Sequence, residues 1–280
     1  MNKYLELIEK IHASPFRLTF VSSGGGTNAI SELLKVPGAS NTVLESYIPY
    51  SKESMDTFLN KTPDHYCSLE TCLSMAANAF KKSKEIDQKT KTKYLLGIAI
   101  TANLATTYEK RGEHKFFIVI QAYNYTKYLE CYLIKGNRTR KQEEELITNC
   151  ALSLLAESCG FEYDLPKIDE EIKINKIKAE KSWEKLFNNK VDYISNNQNS
   201  PELIFPGSFN PLHEGHLKMK ELAEKRTGMH TTFEICANNA DKPPLTFYEI
   251  KRTIDQFQND ESWMLTSAGR FSEKAKMFPN

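Results

Sequence analysis

Two stretches of the sequence gather residue types that can do chemistry. One is Gly207-Ser208-Phe209-Asn210-Pro211-Leu212-His213-Glu214-Gly215-His216. Gly207 allows a tight backbone turn, after which Ser208 and Phe209 can offer N–H groups to an anion. His213 and His216 stand three apart at the expected start of a helix, so both imidazoles project to one face. The helix N-terminus adds partial positive charge at the same place. This convergence suits a reaction that moves phosphate charge, with no side chain needed as a covalent nucleophile. For an isolated HxxH a helix cap is the favoured reading. Here the pair comes with a preceding strand, Gly-Ser-Phe, Asn-Pro and Gly215 in that order.

The other stretch is Ser22-Ser23-Gly24-Gly25-Gly26. The apolar run Arg17–Val21 ends in it, and Asn28–Lys35 follows with Ile30, Leu33 and Leu34 at helical spacing. Strand, Gly-rich turn and helix in that order form the arrangement of an α/β anion site. It can expose the Ser23 hydroxyl as a nucleophile beside N–H groups for an oxyanion. The same residues also describe a Ser/Gly turn that caps a helix.

Around these stretches, hydrophobic periodicity predicts the elements that must position them. A first amphipathic helix carries Tyr4, Ile8 and Ile11 on one face. Strands are expected at Val43–Tyr50, Tyr94–Ile100, Phe116–Ala122 and Tyr128–Ile134, the last two joined through Tyr123–Thr126. Helices are expected at Leu69–Lys82 and at Lys141–Ala156, where Leu146, Cys150 and Leu154 share a face. Residues Leu165–Ser200 turn Lys/Glu/Asn-rich, with one helical stretch at Ala179–Asn188, and read as a charged helical linker. A second α/β unit then runs strand (203–205), Gly turn, helix (Leu217–Glu224), strand (Thr232–Cys236), helix (Thr246–Phe257) and strand (Trp263–Thr266). The expected domains are 1–164, the linker 165–200, and 201–280. With so few strands the second sheet would have an uncovered edge, so a fragment or an incomplete domain is expected.

Composition narrows the partners. The 280 residues carry a formal net charge of +1, which leaves no electrostatic footprint for nucleic acid or an acidic membrane. No targeting segment is evident, and no apolar run approaches the roughly 18 residues of a membrane span. A soluble, cytoplasmic protein acting on small-molecule nucleotides is expected. The cysteines Cys67, Cys72, Cys131, Cys150, Cys159 and Cys236 lack zinc spacing and read as reduced, mostly buried thiols, so no protein-held metal is expected.

The Gly207–His216 stretch resembles the HxGH nucleotidylyltransferase superfamily, nearest to the nicotinate/nicotinamide mononucleotide adenylyltransferases. The family pattern G-[ST]-F-[DN]-P-x-H-x-G-H is met by Gly207, Ser208, Phe209, Asn210, Pro211, His213, Gly215 and His216. The segment from Phe271 to Pro279 resembles the stretch before that family's next core strand. The resemblance implies a partial Rossmann-like (cytidylyltransferase-like) fold over residues 203–280. It further implies that His213 and His216 contact the triphosphate of ATP or CTP, with Mg²⁺ accompanying the nucleotide. A mononucleotide phosphate then attacks the α-phosphorus. The family's second signature, an I-S-[ST]-T-x-x-R-like segment, does not occur before Asn280.

Residues 1–160 resemble the CinA-like nicotinamide-nucleotide amidase domain. The resemblance rests on Ser23-Gly24-Gly25-Gly26, Val36-Pro37-Gly38-Ala39-Ser40, Tyr50-Ser51, the strand Ile98-Ala99-Ile100-Thr101, and Gly136-Asn137-Arg138. It implies that Ser23 attacks the carboxamide of nicotinamide mononucleotide, and that Ser40 and Thr101 line the same site. Gly24, Gly25, Gly26 and Arg138 complete the amidase-like pocket. Several family residues are replaced. Ser22 stands where the family has glutamate, Met55 where it has lysine, and Thr101-Ala102-Asn103-Leu104-Ala105-Thr106 where it has T-G-I-A-G-P. Together these predict little or no amidase turnover.

The expectation is therefore an α/β protein of two domains, a CinA C-terminal-like domain and a partial Rossmann-like HxGH nucleotidyltransferase domain. The two activities cohere, because the product of the first is a substrate of the second. The competing expectation is a catalytically inactive ligand-binding or dimerisation protein, with homo-oligomers formed through the first domain.

Overall fold

The computed structural model describes residues 4–278 except 109, 163, 239–241 and 259. It divides into two compact units, Met1–Lys176 and Ile177–Asn280.

Unit 1 opens with α1 (Leu5–Ala13), β1 (Arg17–Ser23), α2 (Thr27–Lys35), β2 (Val43–Tyr47), α3 (Lys52–Leu59) and α4 (Leu69–Ile86). It continues with β3 (Leu95–Asn103), β4 (His114–Ala122), β5 (Tyr125–Leu133), α5 (Arg140–Ser158) and β6 (Ile172–Lys178), the last two residues of which fall in unit 2. The strands pair in the order β2-β1-β3-β4-β5-β6. β2, β1 and β3 run parallel, and β3, β4 and β5 then alternate in direction. Parallel strands need crossovers, and the helices between β1, β2 and β3 supply them. Only Tyr123-Asn124 joins β4 to β5, the short connection that antiparallel neighbours allow.

Alternation along the strands decides which side chains go where. Leu18 and Phe20, then Leu96, Ile98 and Ile100, then Phe116, Ile118 and Ile120 join one buried core with Ile8, Ile30, Leu33, Ile147 and Leu154 of α1, α2 and α5. The intervening residues turn the other way, toward α4. There Ser83 Oγ donates to Leu96 O at 2.8 Å, and Cys72 Sγ lies 3.4 Å from both Ala99 O and Phe117 O.

Unit 2 contains α6 (Lys181–Phe187), β7 (Tyr193–Ser195), β8 (Leu203–Gly207), α7 (Glu214–Thr227) and β9 (Thr231–Cys236). α8 (Phe247–Ile254), β10 (Trp263–Thr266) and α9 (Phe271–Met277) follow. Strand order is β7-β10-β9-β8, with β8, β9 and β10 parallel and β7 antiparallel to β10. Its core is strongly aromatic: Trp183, Phe209, Phe233 and Phe247 pack with Leu186, Ile235, Ile250 and Leu265. Pro279, the last residue of the segment compared above, lies outside the described residues.

The stretch 165–200 is more structured than its charge suggests. β6 adds to the first sheet, α6 buries Trp183 and Leu186 in the second core, and β7 extends the second sheet. Trp183 stacks on Phe247 with ring centroids 6.2 Å apart. The division between units accordingly falls at 176/177, inside the expected linker. Apart from the buried Glu170, the lysines and glutamates of this stretch are exposed or half-buried, so average composition hides the few anchoring apolar residues. Among the described residues no helix is long and apolar enough to cross a membrane.

Candidate functional site

In unit 2 the Gly207–His216 segment forms a built loop. Gly207 is the last residue of β8 and pairs with Ile235 of β9. Its expected role as a turn glycine is corrected: the positive φ of 44° belongs to Phe209. A Cβ on Gly207 would lie 2.5 Å from the Phe209 ring, so its bareness makes room for that ring. Phe209 is only 1% exposed and meets Phe205, Phe233 and Phe257 at centroid distances of 5.7, 5.1 and 5.8 Å. Two side chains from α8 and the residues just after it fix the loop's far edge. Gln256 donates to Phe209 O at 2.9 Å and accepts from Leu212 N–H at 2.8 Å, and Arg252 donates to Asn210 Oδ1 at 2.9 Å. Asn210–Pro211 is a cis peptide, and Ser208 is exposed on the loop.

His213 caps α7, and His216 stands in its first turn. Their rings stack with centroids 3.7 Å apart, and a Cβ on Gly215 would meet the His213 ring at 3.1 Å. The His213 N–H lies 3.3 Å from His216 Nδ1. A backbone N–H can only donate, so Nδ1 is the acceptor and the ring proton of neutral His216 sits on Nε2. Burial first, then the neighbouring His213 charge, lowers the His216 pKa. The helix-cap reading and the ligand reading thus describe one geometry: Nδ1 caps the helix, and Nε2–H remains a donor.

In unit 1, Ser23 and Thr101 are direct neighbours, paired in register on β1 and β3. Both hydroxyls already donate to carbonyls, Ser23 to Pro49 O and Thr101 to Tyr66 O, each at 2.9 Å. Thr101 is buried. Ser40 lies elsewhere. Its carbonyl accepts from Arg17 Nη2 at 3.3 Å, at the opposite end of β1 from Ser23 and so roughly 20 Å away along the strand. β2 runs parallel to β1, so a residue preceding β2 must fall at the start of the sheet.

The glycine loop holds an anion of its own. Gly24 and Gly26 have φ of 77° and 85°. The Glu144 carboxylate of α5 accepts from Gly26 N–H at 2.8 Å, Asn28 N–H at 3.2 Å and the Thr27 hydroxyl at 3.2 Å. The amides read from sequence as an oxyanion cradle therefore cap α2 through Glu144. Next to them Gly25, Tyr50 and Arg140 line a cleft of about 710 Å³. Arg138 stands at a neighbouring pocket of about 650 Å³. It is bound to the Glu170 carboxylate at 2.5 and 2.9 Å, and this partner pulls the Glu170 pKa down to about 2.

Two residues at that pocket escape the sequence reading. His114 Nδ1 lies 2.9 Å from Glu143 Oε1, and Ala105 N–H donates to Glu143 Oε2 at 2.6 Å. Glu143 is fully buried. It stands in a run of three glutamates at the start of α5, and such a run reads as a solvated face. Among the described residues no cluster of His, Cys, Asp or Glu is arranged to hold a metal ion.

Comparison with protein-family models finds no match, and comparison with curated proteins finds none. Solved structures do show likenesses over about half of the chain. Competence/damage inducible protein CihA from Agrobacterium tumefaciens is 17% identical, with a TM-score of 0.44 over 55% of this chain and 93% of that one. A competence-damaged protein (CinA) superfamily protein from Enterobacter cloacae is 16% identical, with a TM-score of 0.45 over 55% and 90%. The competence or damage-inducible protein from Enterobacter asburiae is 17% identical, with a TM-score of 0.44 over 55% and 96%. At these identities and TM-scores the likeness assigns neither activity nor ligand.

Proposed function

We propose that this chain handles pyridine nucleotides. Unit 2 takes the phosphates of ATP or CTP at the Gly207–His216 loop and transfers the nucleotidyl group to a mononucleotide. Unit 1 is a CinA-like module that binds such a mononucleotide. The reading is carried by the stacked His213/His216 pair at the N-terminus of α7, with His216 presenting Nε2–H. A phosphate oxygen of the acceptor attacks the α-phosphorus, the bond to the β-phosphate oxygen breaks, and pyrophosphate leaves with the electron pair. Donors fixed before the reaction favour the charge that gathers on the departing pyrophosphate. Mg²⁺ fits this reading as an ion carried by the nucleotide's own phosphates, since hard oxygen ligands suit it.

Calorimetric titration with ATP and with CTP, each with Mg²⁺, tests the reading in the parent and in His216→Ala. Loss of one charge-assisted contact should weaken binding roughly tenfold or more. Equal affinity in the two proteins removes His216 from the site, and no binding by the parent overturns the transfer reading.

Unit 1 is expected to bind without turnover. The Ser23 hydroxyl donates to Pro49 O, and a serine without a base is a weak nucleophile. An ammonia-release assay with nicotinamide mononucleotide should therefore match the no-enzyme control. Release by the parent that vanishes in Ser23→Ala would restore the amidase.

A further inference from the structure

We propose that the 650 Å³ pocket of unit 1 is a phosphate receptor whose cations are Lys110, Lys135 and Arg140. They come from three segments: the β3–β4 connection, the β5–α5 connection and the first residue of α5. None of the three is bound to a carboxylate among the described residues. Lys110 Nζ donates to the Asn103 side-chain oxygen, and Lys135 Nζ donates to the carbonyls of Lys110 and Arg111 at 2.8 and 3.3 Å. Arg140 donates to the carbonyls of Ala105 and Gly24 at 3.3 and 3.1 Å.

The nearby acids are already engaged. Both Glu143 oxygens serve Ala105 N–H and His114, and Glu170 takes Arg138 with two contacts. Three like charges around one concavity repel one another, and the Glu143 carboxylate together with neutral dipoles offsets them only in part. Burial, then the Arg140 charge, pushes the Lys110 ammonium pKa down against the opposing pull of the Glu143 carboxylate. A dianionic or more highly charged ligand relieves that repulsion. The guanidinium fork of Arg140 and the N-terminus of α5 favour phosphate oxygens over a monovalent ion.

The ligand class is a phosphate monoester or a diphosphate, either free or attached to a nucleoside. The pocket lies on the α5 side of the sheet: His114 turns the same way as Phe116, whereas Ser23 and Thr101 turn toward α4. The inference deepens the mononucleotide reading of unit 1 by giving its phosphate a place, and rests on that reading only for the nucleoside-linked source.

Titrations use the full chain carrying His216→Ala, so that the unit 2 loop does not contribute. The probes are inorganic phosphate, pyrophosphate, nicotinamide mononucleotide and nicotinamide riboside. Lys110→Met and Arg140→Gln should each weaken pyrophosphate binding about tenfold or more. Lys173→Met, on exposed β6, should leave it unchanged, and added salt should weaken binding in the parent. Arg140→Lys keeps a charge without the fork and should fall between parent and Arg140→Gln, which separates lost contacts from lost folding. Equal pyrophosphate affinity in the parent and both neutral variants overturns the proposal, as does absence of phosphate and pyrophosphate binding in the parent. If pyrophosphate follows the expected pattern and the mononucleotide does not bind, the pocket stands and the mononucleotide reading falls. If the mononucleotide binds equally well in the parent and the neutral variants, and no better than the riboside, the pocket falls and that reading survives.

Discussion

Gly24→Ala is expected to destabilise unit 1 by about 3 kcal/mol or more, the strain of a left-handed alanine plus a backbone collision. The added Cβ would lie 2.0 Å from the Ala102 carbonyl oxygen and 3.0 Å from its carbonyl carbon. Both are main-chain atoms of β3, at a residue paired with Phe116 of β4, so neither can retreat without opening the ladder. Gly136→Ala separates the two causes. Gly136 has φ of 84°, yet a Cβ there meets nothing within 4 Å. It should cost only the strain, about 1–2 kcal/mol. For a unit of this size, 1 kcal/mol corresponds to roughly 2–4 °C in melting temperature, so the Gly24 variant should melt several degrees below the Gly136 variant. Equal melting of the two would mean that the β1–α2 loop yields freely, and the close approach would then explain nothing about Gly24.

Gly207→Ala is expected to damage both the stability and the ligand geometry of unit 2. The obstructing atoms belong to a side chain, but that ring is packed on all sides. Besides Phe205, Phe233 and Phe257, it meets His216 at a centroid distance of 5.2 Å. Overpacking of this kind typically costs about 1–3 kcal/mol. A displaced Phe209 also pushes His216 away from the His213 N–H, so the proposed nucleotide binding should weaken together with melting temperature. Combining Gly207→Ala with Phe209→Leu shrinks the obstacle, and the double variant should be more stable than the sum of the single changes predicts. Strict additivity in thermal melts would show that the alanine does not act through Phe209.

The strands around the candidate sites are legible because their apolar runs are long and their flanks carry turn residues. β1, β3, β4 and β9 lie close to the expected positions. α7 begins at Glu214, earlier than the apolar pattern from Leu217 suggests, because His213 and His216 form its cap. α3 leaves no signal in the sequence: its only fully buried residues, Met55 and Leu59, are too few to show a period. The three acids opening α5 are the least legible. Glu143 goes to His114 and Ala105, Glu144 to the glycine loop, and Glu145 accepts from Tyr4 Oη at 2.9 Å. Each partner is distant in sequence, and charge patterning reports nothing about it. The position of Ser40 is hidden for a related reason, since motif order along a chain does not say which end of a parallel sheet a loop will reach.

The cysteines give each half of the molecule its own chemical clock. Among the described residues, Cys67 in unit 1 and Cys236 in unit 2 are half-buried, while Cys72, Cys131, Cys150 and Cys159 are buried. Burial is the main cause that raises the pKa of both half-buried thiols, so little thiolate exists in the closed state. Alkylation then proceeds through local opening, and its rate measures how often each neighbourhood breathes. Cys67 adjoins Tyr66, whose carbonyl accepts from Thr101, and Cys236 ends β9 beside the parallel strand that follows α8. Two labelling rates on one unmodified chain therefore time the two halves separately.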